Sequence, residues 1–103
     1  MGHVTFVDET TSGRREPGPT LEVAEERLTA RELIRRRVRE EIAAGRRRRT
    51  DPEGQIAAAL RAFEGNGLLL LVGDRQLTDA DDEVELTADT EVTFLRLIPL
   101  AGG

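Results

Sequence analysis

The chain contains no cysteine, lysine, tryptophan or tyrosine, and a single histidine. Without cysteine there is no disulfide, no thiol nucleophile and no thiolate metal site. The one imidazole, His3, stands beside the first residue, reads as a solvated side chain, and does not make a site by itself. No catalytic triad, phosphate-binding loop or metal cluster can be assembled from the remaining residues, so the chain is not expected to be an enzyme and no metal residues are assigned. All fifteen basic residues are arginine. The α-amine of the first residue is therefore the only amine, and chemistry that acylates lysine side chains has no substrate here. No apolar run approaches the roughly 20 residues of a spanning helix, and no signal peptide heads the chain. The expectation is a cytoplasmic protein without a membrane partner.

What is present suits one modest core: 103 residues, 38% hydrophobic and 34% charged. The net charge of −5 conceals a segregation. Residues 27–49 carry ten arginines against three glutamates, a balance of +7, whereas residues 64–103 carry two arginines against nine acids, a balance of −7. Arg35, Arg36, Arg37, Arg39 and the run Arg46 to Arg49 have the charge density for phosphate or an acidic protein. No aromatic residues are interleaved for base stacking, and the acidic half opposes a nucleic-acid footprint. The segment is read as a solvated helix face and basic loop, and no nucleic-acid partner is expected.

In chain order, Val4 to Asp8 has strand composition. Thr10 to Thr20, with Pro17, Gly18 and Pro19, reads as a long mobile loop. Leu21 to Glu25 alternates as a second strand, Leu21 and Val23 inward. Thr29-Ala30-Arg31-Glu32 is a capping-box pattern that predicts a helix to about Ala44, with Ala30, Leu33, Ile34, Val38 and Ile42 on one face and arginines opposite. Asp51-Pro52 predicts a second, shorter helix, with Ile56, Ala59, Leu60 and Phe63 as its apolar face and Gly65-Asn66-Gly67 as its end. Leu68 to Val72 reads as a buried strand, and Gly73-Asp74 as a tight turn into Arg75 to Leu77. An acidic, solvated loop from Asp79 to Glu85 precedes a final strand that runs toward Leu97. This order predicts an α+β domain with a helix packed across one face of a sheet.

The chain's last residues have their own logic. Pro99 cannot donate to a ladder, so pairing should stop near it. The four residues that follow extend about 13 Å. Gly102 and Gly103 have no Cβ and fit a narrow slot, and an α-carboxyl is an anion at neutral pH. This division gives a body over residues 1–98 and a reactive tail over 99–103. The plain alternative is a pair of incidental glycines at a chain end.

These residues resemble the ubiquitin-like β-grasp superfamily. Leu86 to Phe94 and Pro99-Leu100-Ala101-Gly102-Gly103 are similar to the last turn, last strand and Gly-Gly ending of the small sulfur carriers of thiamine and molybdopterin synthesis. Gly73 to Leu77 and Leu95-Arg96-Leu97 look more like ubiquitin. The longer stretch from Arg46 to Asn66 and a longer tail depart from the carriers. Both fit better with bacterial ubiquitin-like proteins encoded beside activating, conjugating and deubiquitinase-like enzymes, some of which act in phage defence.

The resemblance implies a ubiquitin-like β-grasp fold: a mixed sheet crossed by one main helix, the last strand beside the first, and an extra short helix inserted before the third strand. It implies a protein modifier whose Gly103 carboxylate is adenylated by an activating enzyme and passed to a thiol and then to target proteins. Leu95, Arg96, Leu97, Pro99, Leu100 and Ala101 would form the tail and partner-binding surface. ATP and magnesium would belong to the activating partner, with no cofactor bound by this chain. A conjugating enzyme and a deconjugating peptidase are further implied partners. A sulfur carrier ending in a thiocarboxylate, and a non-covalent β-grasp interaction module, remain the alternatives.

Overall fold

The computed structural model describes residues 2–97. Its element order is β1 (Gly2–Thr10), β2 (Arg15–Val23), β3 (Arg27–Thr29), α1 (Ala30–Ala43), α2 (Pro52–Glu64), β4 (Leu68–Val72), β5 (Arg75–Leu77), β6 (Glu83–Glu85) and β7 (Thr90–Arg96). Five strands form a mixed sheet in the order β2-β1-β7-β4-β5, and β3 pairs with β6 in a small second sheet. The β1–β7 pair is parallel, with Val4 opposite Thr90 and Thr10 opposite Arg96, and the other pairs are antiparallel. The result is an α+β architecture compatible with a β-grasp arrangement.

Helix α1 starts as its sequence predicts. Thr29 Oγ1 accepts from the Glu32 amide at 3.2 Å, and the Glu32 carboxylate accepts from the Thr29 amide at 3.3 Å. Its end is a Schellman turn: Gly45 has φ of 77°, its amide donates to the Ile42 carbonyl, and the Arg46 amide donates to the Glu41 carbonyl. Helix α2 has Asp51 as N-cap and Pro52 in its first turn, and ends the same way, with Asn66 at φ 61° taking the left-handed position. At 13 residues it is nearly as long as the 14-residue α1, and it precedes the fourth strand rather than the third.

One apolar core lies between the helices and the inner sheet face. Val4 and Phe6 of β1, Leu70 of β4, and Val92 and Phe94 of β7 meet Leu33 and Ile34 of α1 and Phe63 of α2. Phe6 and Phe94 stack edge to face with centroids 5.4 Å apart.

Several sequence expectations are corrected. The stretch from Thr10 to Thr20 is not a long loop, because β2 begins at Arg15 and runs through Pro17 and Pro19. Strand β2 is an edge, where a missing N–H on the open side costs no ladder bond. A register shift between Thr5 and Val7 absorbs the irregularity. Glu83 to Glu85 is a strand rather than solvated loop, with Val84 buried against the core. Along α1 the buried positions are Ala30, Leu33, Ile34, Arg37, Val38 and Glu41, while Ile42 is only half-buried. His3 lies in β1 with its side chain solvent-accessible, as expected, and Nε2 3.8 Å from the Glu22 carboxylate.

Candidate functional site

Strand β7 is the sheet's centre, and its end positions the residues that the sequence singles out. Arg96 is its last residue, and the Leu97 amide donates to the Gly67 carbonyl at 3.1 Å, which ties the strand's exit to the α2–β4 turn. Leu97 is 40% exposed. Leu95 is half-buried on the outer sheet face, opposite Leu69 of β4 and Glu9 of β1. The two leucines therefore separate. Helix α2 packs on the inner face and leaves Leu95 uncovered, whereas Leu97 borders a groove beside α2. Pro99, Leu100, Ala101, Gly102 and Gly103 lie outside the described residues.

The inner-face end of β7 carries an ionic cluster that pattern reading missed. Arg37 is 3% exposed, and its guanidinium pairs with Asp8 of β1 and, at 3.0 Å, with Glu40. The same guanidinium lies 5.7 Å from the Phe6 ring centroid and 5.9 Å from that of Phe94, within cation–π range. Glu41, also buried, accepts from Arg47 at 2.9 Å and lies 3.8 Å from both Arg37 and Arg96. One buried anion thus joins α1, the following loop and the last residue of β7. The sequence signal was present: Arg37 and Glu41 are four residues apart on the face that holds Ile34 and Val38. Asp8 continues the inward alternation of Val4 and Phe6. Among the described residues Asp8 Oδ1 and Arg37 Nε have no hydrogen-bond partner, so the cluster is not fully satisfied there.

On the outer face, Arg15 of β2 and Glu91 of β7 form an ion pair across β1. Val7 of β1 lies between them in register and is 2% exposed although it belongs to the solvent side of the sheet. Leu69, Leu71 and Leu95 continue the half-buried apolar strip beyond it.

Among the described residues no group of three or more His, Asp or Glu side chains converges to hold a metal ion, and no helix is long and apolar enough to cross a membrane. No family model, curated protein or solved structure matches the chain. What the geometry offers is a folded body in which Arg96 and Leu97 are tied to α1 and the α2–β4 turn, and an apolar strip on one sheet face.

Proposed function

We propose that this chain is a ubiquitin-like β-grasp protein whose Gly103 carboxylate is activated by a partner enzyme and transferred to target proteins. The observation that carries the reading is the parallel pairing of β7 with β1 at the centre of a sheet crossed by α1. A terminal strand held there is fixed on both sides, so its exit is fixed too. The Arg96–Glu41 contact and the Leu97–Gly67 hydrogen bond hold that exit against the helices. The half-buried Leu69, Leu71 and Leu95 supply a surface on which an enzyme would grip the body.

The chemistry follows from the carboxylate. One Gly103 oxygen attacks the α-phosphorus of ATP, and pyrophosphate leaves. A thiolate then attacks the acyl carbon, and AMP leaves with the electron pair of the broken C–O bond. ATP and magnesium are held by the partner. The body contributes orientation, and a slim tail lets the carboxylate reach an enclosed site.

The test is ATP–pyrophosphate exchange with the cognate activating enzyme, using wild type, Gly102→Ala and a chain lacking Gly103. Both variants should melt as wild type does and lose most of the exchange. Equal exchange by all three rejects the threading mechanism. Mass spectrometry of the product separates a protein conjugate from a thiocarboxylate.

A further inference from the structure

The arginines of the basic segment divide into two groups. Those on α1 are neutralised within the molecule: Arg36 pairs with Glu25 at 2.6 Å, Arg39 with Glu53 at 2.7 Å, and Arg37 with Asp8. In the following loop Arg47 is held by Glu41, but Arg46, Arg48 and Arg49 have no acidic side chain within ion-pair distance among the described residues. These three are exposed, and the loop that carries them is pinned. Gln55 of α2 is buried and donates Nε2 to the carbonyl of Arg48 at 2.8 Å and to that of Thr50 at 3.0 Å.

Beside this pinned loop runs a groove of about 620 Å³ between α2 and the end of β7. Gly54, Ala58 and Ala62 recur every fourth residue along its α2 wall, and Arg48 and Leu97 also line it. Eight residues of helix rise about 12 Å, the length of roughly four residues of extended chain. Side chains this small allow another backbone to approach closely, and three lining arginines against one aspartate, with Arg48 unpaired among the described residues, select for negative charge. Among the described residues no aromatic side chain lines the groove to stack a base, which disfavours a nucleic-acid strand.

We infer that this groove docks an extended acidic segment of a partner protein, its carboxylates facing Arg48 of the groove wall, with exposed Arg49 adjoining it in the loop, and its small side chains resting on Ala58 and Ala62. The inference does not depend on the fate of Gly103.

The experiment is fluorescence anisotropy of the full chain with a labelled decapeptide of alternating glutamate and alanine. The matching glutamine–alanine peptide, a twelve-residue oligothymidylate and a synthetic peptide of residues 98–103 are run beside it. The acidic peptide should bind more tightly than the other three and weaken with salt. The double variant Arg48→Glu/Arg49→Glu should lower its affinity at least about tenfold through lost charge complementarity. Ala58→Phe fills the groove without changing charge and should do the same, whereas Arg14→Glu on the distant β1–β2 turn should not. Melting curves equal to wild type exclude unfolding as the cause. Tighter binding of oligothymidylate that is insensitive to Ala58→Phe would overturn the proposal in favour of nucleic acid. Tighter binding of the 98–103 peptide would assign the groove to the chain's own end. A concentration-dependent dimer abolished by Ala58→Phe would assign it to a second copy.

Discussion

Arg37 is the residue whose removal should be felt most. It spans from α1 to β1 with its charge desolvated, under two phenylalanine rings and against Asp8. Breaking such a pair from one side leaves a charge without its partner, which typically costs about 3–5 kcal/mol, whereas an apolar replacement of both sides is often near neutral. Arg37→Met should therefore lower the urea midpoint strongly, and adding Asp8→Leu should restore a large part of the loss. A fully additive double variant would show that the pair contributes no coupling. Gly18 is a second sensitive position, on the neighbouring strand. A Cβ there would stand 2.8 Å from the Phe6 carbonyl oxygen and 3.4 Å from Arg37 Nη1. The backbone oxygen cannot yield, so Gly18→Ala should destabilise the fold by about 1–3 kcal/mol in the same unfolding assay.

At the scale of elements, the acidic segment after β5 has a structural duty. The Ala30 amide donates to the Asp82 carbonyl and the Arg31 amide to the Ala80 carbonyl, both at 2.9 Å, so this loop receives the open first turn of α1. Asp82 holds the loop in shape by accepting from the Thr78 and Asp79 amides, each at 3.0 Å. The Asp79 amide first, and the Thr78 amide second, hold the Asp82 carboxyl below the usual carboxylate range. A depressed folded-state value means that the ionised form is favoured by folding. Its stabilisation is present above the unfolded value of about 3.9 and is lost as pH falls through the lower folded value. In Asp82→Asn the acid limb of the stability profile should lose that share of its slope below about pH 4, and the Asp82 carboxyl carbon of wild type should titrate below a model aspartate.

Legibility also varied by element. Both helices could be read to within a residue or so at their starts, because Thr29 with Glu32 and Asp51 with Pro52 are local signals. Strands β3 and β6 could not, because each holds a single apolar residue, Leu28 or Val84, between polar ones. Three residues are too few for a period. The first part of strand β2, from Arg15 to Thr20, was hidden by prolines that an edge position tolerates, whereas Leu21 to Val23 was legible. The buried Arg37 and Glu41 were hidden by their charge, although their spacing fits the inner face of α1 better than that of Ile42.

Over the whole molecule folding neutralises part of the charge segregation of the sequence. Most arginines of α1 find acids from β1, the β2–β3 turn or α2, and Arg15, Arg27 and Arg31 reach Glu91, Glu85 and Asp81 of the acidic half. The absence of lysine leaves no side-chain amine anywhere on this surface. If the chain is transferred to proteins as proposed, a second copy can be added only to the α-amine of the first residue. Denaturing gels of a reconstituted reaction should show predominantly single additions to each target amine. A ladder linked through internal residues of this chain, detected by peptide mapping, would contradict that expectation.

The place of β7 also governs how the molecule comes into being. Translation reaches Thr90 after every other described strand has been made, yet β7 lies between β1 and β4. Until it emerges from the ribosome, the growing chain holds two open strand edges that cannot bridge each other, and closing the β1–β7 pair joins positions 86 residues apart, as in Val4 with Thr90. Such long-range pairing is slow and leaves unfinished sheets prone to stick. A ribosome stalled before Thr90 would therefore release a split sheet, a natural substrate for chaperones and proteases. Completion of the sheet therefore waits for the last strand the structure describes.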